Sequence, residues 1–120
     1  MKNIRVLVLA ALACAFVATV AFAHAFLDHA SPGVGSTVSG SPGEIEISFT
    51  QDIVPAFSAI SVSSAEGGAV PTGKASVGPA NVLRVSLGHA LKPGVYVVNW
   101  HVTSVDTHKT GGSYKFTVAP

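Results

Sequence analysis

Three residues of this chain carry donor groups whose types and spacing suit a transition metal: His24, Asp106 and His108. Ala21-Phe22-Ala23 has the small-residue pattern of an export cleavage site. Cutting after Ala23 makes His24 the first residue of the mature protein, with a free α-amine. Such a histidine chelates through both its amine and Nδ1, closing a ring that no internal histidine forms. The amine has an ordinary pKa of about 8 and must lose a proton to bind, so affinity should weaken in acid. In Asp106-Thr107-His108, alternation on an extended backbone is expected to put carboxylate and imidazole on one side. Three nitrogens and one carboxylate oxygen suit a tetragonal Cu(II) centre, and Cu(II) heads the divalent first-row series for such ligands. An Asp-x-His pair also occurs by chance in surface loops, and an amino-terminal histidine alone is only suggestive.

The elements that must position these residues begin with a targeting segment. Lys2 and Arg5 form a basic start, Val6 to Val20 is an almost unbroken apolar run, and Ala21 and Ala23 supply the cleavage positions. The run falls short of the ~20 residues that span a bilayer, which disfavours a retained anchor. Lipidation at Cys14 is a second alternative, because Leu12-Ala13-Cys14 faintly matches a lipoprotein box. It ranks lower, since Ala11 stands where that box has leucine and the apolar run continues to Phe22. We expect residues 1–23 to be a cleaved secretion signal and the protein to be periplasmic.

Removing the first 23 of 120 residues leaves 97, enough for one small domain at 24–120. That domain keeps five basic residues (Lys74, Arg84, Lys92, Lys109, Lys115) against six acidic ones (Asp28, Glu44, Glu46, Asp52, Glu66, Asp106), so the whole-chain charge of +1 becomes −1. No basic cluster remains to bind nucleic acid or anionic lipid. Cys14 and Met1 leave with the signal. The mature chain therefore has no disulfide and no sulfur ligand, which excludes a thiolate or thioether Cu(I) site and leaves nitrogen and oxygen donors.

The mature sequence reads as all-β, a small Greek-key sandwich or barrel of about seven antiparallel strands, immunoglobulin-like. Glu44 to Phe49 alternates with period two, placing Ile45, Ile47 and Phe49 on one face. Ala59–Val62, Val82–Leu87, Val95–Thr103 and Tyr114–Val118 are further strands, rich in valine and aromatics. Ser31-Pro32-Gly33, Ser41-Pro42-Gly43, Glu66-Gly67-Gly68, Gly78-Pro79 and Lys92-Pro93-Gly94 mark turns. Trp100 shares a face with Tyr96 and Val98 and is expected to anchor the core. His101 faces the other way and His89 lies near a turn; both read as bystanders. His29, on a strand beginning at Ala25, would face away from Asp28 and is expected to be solvated, with a role as an extra ligand left open.

The stretch Trp100-His101-Val102-Thr103-Ser104-Val105-Asp106-Thr107-His108-Lys109-Thr110-Gly111-Gly112-Ser113-Tyr114-Lys115-Phe116 closely resembles the carboxy-terminal signature of the CopC copper-resistance family, Trp-x-x-x-Ser-x-Asp-Gly-His-x-x-x-Gly-x-x-x-Phe. His24-Ala25-Phe26-Leu27, Ser31-Pro32, Ile47-Ser48-Phe49 and Leu91-Lys92-Pro93-Gly94-Val95-Tyr96 also fall where that family has its mature start, its Leu-x-Phe strand and its Gly-x-Tyr strand. The resemblance covers essentially all of residues 24–120. It implies a Greek-key β-sandwich that binds Cu(II) in the periplasm through His24, Asp106 and His108, without the methionine-rich Cu(I) site of some members. It further implies copper sequestration or carriage for resistance or homeostasis, no turnover, and a CopD-type inner-membrane partner; a monomer is expected. Two positions depart from the family pattern. Thr107 replaces glycine, which matters if the family uses a positive φ there, and Gln51 stands where many members have glutamate, with Asp52 a conceivable substitute. The alternatives are a histidine-brace copper oxidative enzyme, which usually needs a longer chain with a substrate surface, and a metal-free β-sandwich adhesion or carbohydrate module.

Overall fold

The computed structural model describes residues 25–120; the segment expected to be a secretion signal, its expected cleavage site and His24 lie outside the described residues. Among the described residues nine strands run in chain order: β1 (Leu27–Ser31), β2 (Thr37–Val38), β3 (Glu44–Phe49), β4 (Ala59–Ser64), β5 (Ala69–Val70), β6 (Ser76–Val77), β7 (Val82–Ser86), β8 (Gly94–Thr103) and β9 (Lys109–Val118), with one 3-10 turn at Pro55–Phe57. They form two sheets of order β1-β3-β7-β6 and β2-β9-β8-β4-β5. The protein is a β-sandwich.

Period-two patterning explains the layers. Along β3, Ile45, Ile47 and Phe49 are buried, as expected, and along β8 the buried apolar positions are Tyr96, Val98, Trp100 and Val102. They meet Leu83 and Val85 of β7, Ile60 and Val62 of β4, and Tyr114, Phe116 and Val118 of β9 in one core cluster. Each such side chain contributes roughly 1.5–3 kcal/mol by leaving water. Phe49 and Trp100 join the two sheets edge to face, with centroids 5.2 Å apart. Trp100 is thus the core anchor the alternation predicted, and His101 on the opposite face is exposed.

The structure amends the expected strands at four points. Three strands, β2, β5 and β6, are two residues long, too short to leave a periodic signal, and with them the described residues hold nine strands where about seven were expected. The pairing is not wholly antiparallel, because β2 runs parallel to β9. β9 begins at Lys109 rather than Tyr114: pairing with the long β8 carries the strand through the glycines at 111 and 112. In β1, the register shifts between Leu27 and His29, so Asp28 and His29 do not take opposite faces; His29 Nδ1 lies 3.5 Å from Asp28 Oδ2. His29 also pairs with Ser48 Oγ at 2.7 Å and is exposed.

Register decides what gathers at one end of the sandwich. Leu27 pairs with Phe49, so the start of β1 lies beside the end of β3. Thr103 pairs with Lys109, so the end of β8 lies beside the start of β9. The segment after β3 joins the two groups: Ile53 bridges Ser104, the Val54 amide donates to the Thr103 carbonyl at 2.8 Å, and the Val105 amide donates to the Asp52 carbonyl at 3.1 Å.

Candidate metal centre

Asp106 and His108 sit on the tight connection between β8 and β9. The backbone there is a turn, not the extended run expected from the sequence: the Thr107 amide donates to the Ser104 carbonyl at 2.8 Å and the Ser104 amide donates to the His108 carbonyl at 2.9 Å. Thr107 has φ +72°, a left-handed conformation that side chains of its branched shape rarely adopt. The carboxylate and imidazole therefore meet because the chain reverses between them. His108 Nδ1 lies 3.2 Å from Asp106 Oδ2.

Ser104 fixes this turn from below. It is fully buried, and its hydroxyl donates to Asp106 Oδ1. That hydrogen bond is the largest cause holding the Asp106 carboxyl below its ordinary 3.8, with His108 adding to the effect and desolvation opposing it. Asp106 is consequently a carboxylate throughout the neutral range, an oxygen donor of fixed orientation.

The start of the described chain is anchored beside this turn. Ala25 is fully buried, and its carbonyl accepts a hydrogen bond from Thr110 Oγ1 at 2.5 Å. The Phe26 amide donates to Thr50 Oγ1 at 2.9 Å, and the Thr50 amide donates to the Phe26 carbonyl at 2.8 Å. Among the described residues no group of three His, Cys, Asp or Glu side chains that could hold a metal forms; His24 is not one of those residues.

The other histidines are elsewhere. His89 is exposed in the connection before β8, His101 is exposed on the outer face of β8, and His29 faces Ser48 on β1. Gln51 is half-buried and Asp52 exposed on the segment that packs against the turn, where Asp52 contributes its carbonyl to the Val105 amide. The groups that sequence reasoning left without a role are Ser104, Thr110 and Thr50. Ser104 lies inside the signature motif and could have been flagged two residues before Asp106; Thr110 and Thr50 carry no local signal, because their partners are distant in the chain.

A family model described as the CopC domain matches residues 27–119. Protein YobA of Escherichia coli (strain K12) is 36% identical over 112 residues, spanning 92% of this chain and 90% of that protein. Copper resistance protein C of Xanthomonas campestris pv. juglandis is 35% identical over 105 residues, 82% of each chain. The crystal structure of CopC from Methylosinus trichosporium OB3b superposes with a TM-score of 0.75 at 34% identity, covering 81% of this chain and 95% of that one.

Proposed function

The chain belongs to the CopC family of copper-resistance proteins, and from that premise we propose that it is an exported Cu(II)-binding protein that sequesters or carries copper in the periplasm, with no turnover of its own. The mature chain is residues 24–120. His24 contributes its α-amine and Nδ1, His108 a third nitrogen, and Asp106 an oxygen that offsets one of the ion's two charges. Copper is the cargo, to be passed to or received from a CopD-type inner-membrane partner.

The observation that carries this reading is the turn at 104–108 with the buried Ala25 seated beside it. A residue covalently joined to Ala25 has its Cα about 3.8 Å from that of Ala25. Ala25, the residue to which His24 is joined, is held beside the strand that starts one residue after His108. The donor chemistry fits the ion: a carboxylate already ionised, imidazole nitrogens and an amine, with no competing sulfur in the described residues.

The test is a Cu(II) titration followed by EPR on the protein beginning at His24, beside the same protein carrying one extra amino-terminal alanine. Tight one-to-one binding with a tetragonal spectrum, collapsing in the extended form, is expected. Equal binding by both removes the chelating terminus, and no tight binding by either returns the domain to a metal-free sandwich.

A further inference from the structure

We propose that Thr110 is the positioning residue that seats the amino terminus for metal binding, an inference that rests on the chelate reading above. Thr110 Oγ1 donates to the Ala25 carbonyl across 85 positions of sequence. Ala25 is fully buried, so water does not replace that donor without cost. The next peptide is tied to the other sheet: Phe26 exchanges hydrogen bonds with Thr50, which directly follows β3. Two threonines, one from each sheet, thus hold the first two described residues at the mouth of the sandwich.

The chemistry of a terminal chelate makes this hold consequential. Amine and imidazole of one residue can close on an ion anywhere in solution, but meeting Asp106 and His108 on the same ion requires the terminal backbone to be in place. Fixing the backbone of one residue costs about 1–2 kcal/mol of entropy, equivalent to roughly a 5- to 30-fold change in binding. Thr110 supplies that order before the metal arrives. A valine at 110 keeps the branched shape and strand preference and deletes only the donor.

The experiment compares wild type, Thr110→Val and Thr110→Ser, each beginning at His24 and each with an extra amino-terminal alanine. In the His24 series, Thr110→Val is expected to bind Cu(II) about 5- to 30-fold more weakly, and Thr110→Ser to bind like wild type. In the alanine-extended series the three proteins should bind alike, because the amine chelate is already gone. Amide hydrogen exchange of the metal-free proteins should show faster exchange at Phe26 in Thr110→Val and not in Thr110→Ser. Wild-type affinity for Thr110→Val, while the alanine extension still weakens wild type, overturns the role of Thr110 and leaves the chelate standing. An equal loss in both series also overturns it, since a general loss of stability acts on both. If the alanine extension itself costs nothing, the chelate reading falls and this inference with it.

Discussion

The two oxygens of Asp106 have separate partners: Oδ1 takes the Ser104 hydroxyl, and Oδ2 lies 3.2 Å from Nδ1 of His108. One aspartate is thereby locked to the buried floor on one side and to the imidazole on the other. The fold itself sets the orientation of this carboxylate.

Asp106→Asn and His108→Ala should each lower Cu(II) affinity at pH 7 by at least tenfold while leaving the far-UV circular dichroism unchanged. Because the Asp106 carboxyl is held below 3.8, its charge does not change between pH 8 and pH 6. Its contribution to folding is present above the unfolded value and lost as pH falls through the lowered one. Acid weakening of copper binding between pH 8 and pH 6 should instead follow the amine, by up to about tenfold per unit. Competitive titration across that range checks it; a profile flat to pH 5 would exclude the amine as a ligand.

Thr107 occupies a left-handed conformation at φ +72° with its side chain exposed. A residue with a Cβ loses about 1–2 kcal/mol there, and glycine loses roughly 0.5–1 kcal/mol of extra chain entropy. Thr107→Gly should therefore be neutral to stabilising, by up to about 1 kcal/mol, and should keep the copper site. Urea unfolding measures this. Thr107→Pro, whose ring fixes φ near −65°, should open the turn and abolish tight binding.

Gly112 lies against the face of Trp100. A Cβ at 112 would sit 2.8 Å from Trp100 Cζ2 and 3.0 Å from Cε2, and that ring is locked in the core beside Phe49. Gly112→Ala should cost about 1–3 kcal/mol by overpacking. Emission from Trp100, the single tryptophan of the chain, should shift with it; an unchanged melting temperature would mean the β8–β9 pair absorbs the methyl.

The Tyr114 hydroxyl is the one buried side-chain polar atom without a hydrogen-bond partner among the described residues. Burial pushes its phenol up to about 12 from 10.0. The unfolded chain ionises first, so stability should be constant below about pH 10 and fall between pH 10 and 12, by about 1.4 kcal/mol per unit at most. Tyr114→Phe should remove that fall and be at least as stable as wild type at pH 7, since it deletes an unsatisfied group. Thermal melts of the two proteins at pH 7 and pH 11 make the comparison.

Strand patterning was legible without coordinates because burial repeats every second residue: Ile45-Ile47-Phe49 and Tyr96-Val98-Trp100 announce both their strands and their inward faces. The two-residue strands β2, β5 and β6 were not, since so short a segment holds no period and is fixed only by its neighbour. The bulge at Leu27–His29 was hidden for a related reason: alternation assumes an unbroken ladder, and the register slip appears only once β1 is laid against β3.

Sequence by itself determined the inventory of this protein: a β-rich domain, a set of nitrogen and oxygen donors with no sulfur in residues 24–120, and a signature that marks the family. Residue types and short spacings are local properties, and they survive without a fold. Tertiary structure decided how the donors meet. Asp106 faces His108 through a left-handed Thr107 and a buried Ser104, not through strand alternation. Ala25 reaches Thr110 because β1 and β9 begin at the same mouth of the sandwich, and a contact between residues 85 positions apart has no trace in the chain until two sheets close over one core.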